Sequence, residues 1–256
     1  MTPDKVTRIR SMKGRERIAA LTAYDFAMAR VLEDAGVPLL LVGDSLGMVV
    51  LGYPDTTCVT MADMEHHVRA VARVKPQGLL AADLPFGSCA TPVTAVENAR
   101  RLVAAGAEAV KAEGGRNILP QIEAIRAAGI PLLGHLGMLP QNAVLEGGYH
   151  VKGKNEEERA GLIADAMALE RAGAFGIVLE LVAPPVAQEV TAKISIPTIG
   201  IGSGPHCDGE ILVTTDLLGT SPGFIPRHVK KNWRLAEQMR AAVVEWKESV
   251  VHPVRP

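Results

Sequence analysis

Residues 79–115 read LLAADLPFGSCATPVTAVENARRLVAAGAEAVKAEGG, and this stretch decides the fold. Leu79 to Leu84 is a short apolar run, the pattern of a strand buried on both faces. Pro92 to Ala105 has helical period and stops at Gly106. Glycine just past the last turn is the usual stop, because it takes the left-handed C′ conformation cheaply. Ala109 to Ala112 then reads as the next strand. Strand, helix and strand in about 30 residues make one βα unit of a parallel sheet.

The unit recurs in both directions. Upstream, the strand Ile18 to Tyr24 precedes a helix from Asp25 to Ala35 that ends at Gly36. The strand Pro38 to Gly43 precedes a loop rich in Gly and Thr and a helix from Met61 to Lys75. Downstream come a helix from Ile118 to Ala128 closed by Gly129, a strand from Pro131 to His135 and a long loop from Gly137 to Asn155. A charged helix, Glu156 to Ala172, is expected to be strongly amphipathic. Strands are expected at Gly176 to Leu181, Pro197 to Ile201 and Ile211 to Thr214, with a helix opened by Pro184-Pro185 and a last helix from Asn232 to Ser249. Pro suits a first helical turn, since its missing N–H has no partner there anyway. About eight βα units in about 250 residues is the arithmetic of a (β/α)8 TIM barrel. An open doubly wound sheet stays open as an alternative, because periodicity does not report closure. No linker or repeated sequence divides the chain, so one domain over 1–256 is expected.

The 27 Lys+Arg and 28 Asp+Glu leave a net charge of −1, and there is no basic block. That excludes the electrostatic footprint of a nucleic-acid binder. Aromatics are only 4 %, beside 25 Gly and 17 Pro, which fits an aliphatic core cut by tight turns and disfavours a base-stacking platform. Cys58, Cys89 and Cys207 are odd in number and form no C-x-x-C pair, so reduced thiols are expected rather than disulfides or zinc. Met1 to Arg17 has no apolar h-region, and the most apolar stretch, Val37 to Pro54, is broken by Asp44 and several glycines. No membrane contact is expected, and the expected location is the cytoplasm.

Charged residues at the C-terminal ends of buried strands call for a reason, and that edge is where barrels build their sites. Here stand Asp44-Ser45, Asp83, Lys111-Ala112-Glu113, His135 and Glu180, each on a different strand or strand end. Each Asp alone reads equally well as a helix cap or Asx-turn. Together they converge on one mouth. Two carboxylates about 4 Å apart repel by roughly 4 kcal/mol at an effective dielectric of about 20, so several persist only with a cation or with protons. One lysine does not balance four carboxylates, and an all-oxygen donor set favours Mg²⁺ over zinc. Lys111 and Glu113, two apart on a strand, share a face. Spacing leaves three roles open for Lys111: holding a substrate carboxylate, forming a Schiff base, or a buried ion pair with Glu113.

Other features read as structural. Gly200-Ile201-Gly202-Ser203-Gly204 follows a strand but precedes Pro205-His206 rather than a helix, so a tight turn is preferred over a phosphate cradle. His66-His67 read as surface residues, the run Arg227 to Lys231 as a solvated turn, and Cys207 lacks an identifiable base.

The blocks LTAYDFAMARVLEDAG at 21–36, VGDSLGMVVLGYPDT at 42–56, ADLPFGS at 82–88, VKAEGG at 110–115 and GHLGMLPQ at 134–141 run in order along the chain. Leu179-Glu180, IPTIGIGSG at 196–204 and DGEILVTTDLLG at 208–219 continue the series. In these blocks the chain resembles the ketopantoate hydroxymethyltransferase family. The resemblance implies a barrel of the phosphoenolpyruvate/pyruvate type, a Mg²⁺ site, 5,10-methylenetetrahydrofolate as co-substrate, 2-oxoisovalerate (3-methyl-2-oxobutanoate) as substrate and a large homo-oligomer. It assigns Asp44, Asp83 and Glu113 to the metal, the last through water. Asp44, Ser45, Asp83 and Lys111 fall to the oxo-acid, and Glu180 is the proton acceptor. The chain departs from the family pattern at Met138-Leu139, at Ser203 and at Cys89. Rival readings are a Mg²⁺-dependent C–C lyase on the same barrel, a non-catalytic oxo-acid binder and a purely structural barrel.

Overall fold

The computed structural model describes residues 4–223, 225–230 and 233–252. The chain divides into two compact units, Met1–Ile211 and Leu212–Pro256. The strands are β1 (Ile18–Thr22), β2 (Leu39–Val42), β3 (Leu79–Asp83), β4 (Ala109–Glu113), β5 (Leu132–Gly137), β6 (Gly176–Glu180), β7 (Thr198–Ile201) and β8 (Gly209–Leu212). They form a closed barrel in sequence order, and neighbours from β1 to β8 pair in parallel. Closure removes the doubly wound alternative. The helices of the larger unit are α1 (Lys5–Ser11), α2 (Phe26–Asp34), α3 (Leu46–Val49), α4 (Met61–Ala72), α5 (Pro92–Ala105), α6 (Leu119–Ala127), α7 (Glu156–Arg171) and α8 (Pro184–Lys193).

Strand alternation divides the core into two layers. Outward-facing Leu40, Val42, Leu80, Ala82, Val110, Leu132, Ile177 and Leu179 pack against the helices through Leu32, Met64, Val68, Leu102, Ile122 and Leu169. Inward-facing Ala20, Leu39, Leu41, Leu79, Ala81, Ala109, Leu133, Val178 and Ile199 fill the barrel, together with Ile9 and Met12 from the first helical segment. Both faces of the central strands β2 to β6 are thus apolar over most of their length, which explains why the sequence shows continuous runs rather than alternation. Local chemistry fixes the helix ends. Thr60 and Asp63 form a reciprocal capping box on α4, and Thr91 and Thr94 do the same on α5. Gly106 ends α5 at φ +116°, where an added Cβ would lie 2.4 Å from the Cβ of Ala72.

Four expectations need correction. The loop after β2 contains a helical turn, α3, begun by Ser45. The last strand runs Gly209–Leu212, not Ile211 to Thr214; its start was hidden because a side chain at Gly209 would meet the Ile18 carbonyl at 2.3 Å, so the position is glycine flanked by polar residues. Helix α7 is not strongly amphipathic, and its fully buried residues are only Ala166, Ala168 and Leu169. Its charges cap it instead: Glu156, Glu157 and Glu158 occupy the first turn, where the helix dipole favours anions. Helix α1 was not expected, since Ile9 and Met12 are isolated apolar residues in a charged stretch.

The smaller unit holds α9 (Thr214–Leu218) and α10 (Leu235–Val251). The final helix thus begins later than Asn232, which, with Lys231 of the basic run, lies outside the described residues. None of the residues of α10 is buried within this chain.

Candidate active site

The barrel brings the charged strand ends together. In register, Asp83 pairs with Lys111 and Glu113 with His135, while Gly137 pairs with Glu180. Asp44, Asp83, Lys111 and His135 are buried, at 5 % exposure or less. The backbone N–H of Asp44 donates to Asp83 Oδ2 at 3.1 Å, which ties the ends of β2 and β3 together. Gly43 leaves the room for this: a Cβ there would lie 3.0 Å from Ser45 Oγ and 3.5 Å from Asp83 Oδ2.

Lys111 Nζ lies 3.1 Å from Asp83 Oδ1 and 3.1 Å from His135 Nδ1. The ion pair with Glu113 considered from spacing is therefore not the close contact. The reason is geometric: residues two apart on a strand are separated by about 6.6 Å, whereas adjacent strands lie about 4.8 Å apart. Burial pulls the Lys111 ammonium toward neutrality, but Asp83, Glu113 and Asp44 outweigh it and hold the amine protonated. A protonated amine is a poor nucleophile, so this environment favours an electrostatic role for Lys111 over a Schiff base.

His135 links two carboxylates. Its Nδ1 is 3.5 Å from Glu113 Oε1 and its Nε2 is 3.2 Å from Glu180 Oε2. Burial and Lys111 lower its basicity, yet Glu113 and Glu180 prevail and the net direction is upward. Burial likewise opposes ionisation of Glu113, but the neighbouring His135 and Lys111 and the Gln141 N–H hold that carboxyl below its ordinary value. Asp44 is pushed well above its ordinary value, by burial first and then by Asp83 and Glu113. Burial also raises Asp83, against the pull of Lys111.

Glu180 sits where the chain turns sharply. Leu181, the next residue, has φ +47°, a left-handed conformation uncommon for a branched side chain. The buried Ser203 hydroxyl clamps this segment, donating to the Leu179 carbonyl at 2.7 Å and accepting from the Val182 N–H at 2.9 Å. The glycine-rich segment after β7 is thus a structural turn here. Gly137 lies against the same place, where a Cβ would meet the Glu180 carbonyl at 2.2 Å.

Three neighbours were not selected from the sequence. Tyr24 shares a 2.8 Å hydrogen bond between its hydroxyl and Ser45 Oγ, and its carbonyl contacts His67 Nδ1 at 2.6 Å. Gln141 reaches Asp44 from the long loop, its Nε2 donating to Asp44 Oδ2 at 2.8 Å. Tyr149, on the same loop, is pushed up to about 12 by burial and by the charges of Glu180 and Asp44, so its phenol stays neutral. The signal for Tyr24 was its place at the end of the first strand; Gln141 closed the quoted block at 134–141, and Tyr149 had none.

The donor set fits a hard divalent cation. Asp83 Oδ1 and Glu113 Oε1 are buried without an aligned hydrogen-bond donor, although the Lys111 ammonium lies near the first and the His135 ring near the second. Among the described residues, no three His, Cys, Asp or Glu side chains converge tightly enough to enclose an ion by themselves. Mg²⁺ does not need that, since it is usually held by one or two carboxylates and keeps its other positions for water and substrate oxygens. No helix among the described residues is long and apolar enough to cross a membrane.

Solved structures share the fold at low identity. 2,3-Dimethylmalate lyase, a PEP mutase/isocitrate lyase superfamily member, superposes with a TM-score of 0.64 at 18 % identity, over 98 % of this chain and 90 % of that one. Phosphonopyruvate hydrolase, in complex with oxalate and Mg²⁺, gives 0.63 at 16 % identity, over 96 % of this chain and 86 % of that one. The 3-methyl-2-oxobutanoate hydroxymethyltransferase of Ignicoccus hospitalis is 50 % identical over 243 residues, covering 94 % of this chain and 92 % of the relative. That of Moorella thermoacetica is 50 % identical over 246 residues, covering 95 % and 91 %. A family model described as ketopantoate hydroxymethyltransferase matches residues 4–256, and the chain belongs to that family.

Proposed function

We propose that this chain, acting as a single (β/α)8 barrel domain over 1–256, transfers a one-carbon unit from 5,10-methylenetetrahydrofolate to 2-oxoisovalerate. The observation that carries the reading is a buried lysine, Lys111, held between Asp83 and His135 at the C-terminal mouth of a barrel from this family. The reaction breaks the C3–H bond, forms a bond from C3 to the one-carbon unit, and consumes one water to release tetrahydrofolate and ketopantoate. This is the first step toward pantothenate, and so toward coenzyme A.

The substrate's C3 proton leaves only if the charge left behind is stabilised. Asp44 and Asp83 would hold Mg²⁺, with Glu113 beside them through water, and the bound ion supplies Lewis-acid polarisation of the 2-oxo group. Lys111 and the Ser45 hydroxyl bind the oxo-acid, and the fixed ammonium is already oriented toward the developing negative charge. Glu180 takes the proton, and His135 Nε2 lies 3.2 Å from its carboxylate.

The partners are these small molecules, with neither nucleic acid nor membrane, and the location is the cytoplasm. A large homo-oligomer is the expected assembly. It is supported by Met239, Val243, Trp246 and Val250, which recur along α10 and are 59–66 % exposed within the chain. The test is incubation with both substrates and either Mg²⁺ or EDTA, reading ketopantoate by mass spectrometry. Product with Mg²⁺ and none with EDTA supports the reading; no product from folded, Mg²⁺-supplied protein rejects it.

A further inference from the structure

Gln141 lies in a short 3₁₀ turn, Pro140–Asn142, on the long loop after β5. It reaches three elements at once. Its side-chain Nε2 donates to Asp44 Oδ2 at 2.8 Å and to the Leu84 carbonyl at 2.9 Å. Its backbone N–H donates to Glu113 Oε2 at 3.1 Å. These acceptors follow β2 and β3 and end β4, so one loop residue joins the ends of three adjacent strands.

We infer that Gln141 is a positioning residue for the cation site, its amide fixing the Asp44 carboxylate while its backbone fixes Glu113. The inference rests on the Mg²⁺ reading given above. The chemistry favours an amide in this place. Asp44 already has Asp83 and Glu113 as neighbours, so a further carboxylate would add repulsion, and a lysine would compete with the metal for the same oxygen. A neutral donor satisfies one oxygen of Asp44, limits its rotation and leaves the site's negative charge intact. The Leu84 carbonyl holds the other amide hydrogen, so the side chain cannot swing away without losing two bonds. Groups that orient metal-ligating carboxylates commonly affect affinity by about 10- to 100-fold.

Mn²⁺ binding to the substrate-free protein, followed by electron paramagnetic resonance, tests this without reference to turnover. Gln141→Met keeps the shape but cannot donate, and Gln141→Ala removes the side chain without a clash; both retain the backbone bond to Glu113. The inference expects Mn²⁺ affinity to fall about 10- to 100-fold in both, with an altered spectrum of the bound ion. Turnover in Gln141→Met is expected to recover as metal is raised, whereas Asp44→Asn does not recover. Affinities within about two-fold of the parent in both variants overturn the inference. Failure of both variants to fold also overturns it, since the amide is then a structural anchor. A parent chain that binds no Mn²⁺ rejects the metal reading itself, a result distinct from either.

Discussion

The lower and upper halves of the barrel interior are built from the same strands and hold opposite chemistry. On β3, Leu79 and Ala81 face inward among aliphatic neighbours, and the next inward position is Asp83. On β4 the series is Ala109, Lys111, Glu113, and on β5 it is Leu133, then His135. One step of the strand repeat, about 6.6 Å, separates a hydrocarbon core from a cluster of buried charges. The lower half is stabilised by removing apolar surface from water. The upper half opposes folding, since burial and mutual repulsion push Asp44 and Asp83 upward. The aliphatic layer therefore offsets the strain of the charged one.

Exchanging single groups between these layers should separate activity from stability. The largest effect is expected at Glu180→Gln, which removes the proposed proton acceptor with little change of shape; turnover should fall about 10²- to 10⁴-fold with an unchanged melting temperature. Leu79→Ala, in the lower layer, is expected to destabilise by about 2–5 kcal/mol in denaturant titrations, with kcat retained by the folded fraction. Asp44→Asn should do the reverse. It relieves a buried charge, so the metal-free protein is expected to gain about 1–2 kcal/mol while Mn²⁺ binding is lost. Destabilisation by Asp44→Asn would break the contrast between the layers.

The smallest effect lies outside both layers, at the capping box of α4. Thr60→Ala is expected to cost about 1 kcal/mol with no change in turnover. The Thr60 hydroxyl and backbone hold Asp63 below its ordinary value. A depressed carboxyl stabilises the fold above its ordinary titration and loses that contribution as pH falls through the depressed value. The difference between parent and variant, read from thermal melts, should therefore shrink in acid.

The two layers also differed in how far the sequence revealed them. Strands of the aliphatic layer were legible as apolar runs bounded by glycine stops, and α5 fell on Pro92–Ala105 as expected. The failures came where a tertiary contact overrode local pattern. β8 begins at a glycine pressed against Ile18, and α1 buries only Ile9 in the core, with Met12 just past its end. In the upper layer, Asp44, Asp83, Lys111, Glu113 and Glu180 stood out because a charge ending a buried strand is costly without a use. The register then supplied what spacing could not: Lys111 leans across to Asp83, and His135 lies between Glu113 and Glu180. The places of Gln141 and Tyr149 were illegible because the course of a long loop, not residue type or period, brings them to the mouth.

The most direct test of this division of labour is loss of deuterium from C3 of labelled 2-oxoisovalerate into water, followed by mass spectrometry with Mg²⁺ present. It would be run on the parent, Glu180→Gln and Leu79→Ala side by side. The account predicts washout by the parent and by folded Leu79→Ala, and its near-complete loss in Glu180→Gln. Washout at the parental rate in Glu180→Gln, or none in the parent, would contradict it.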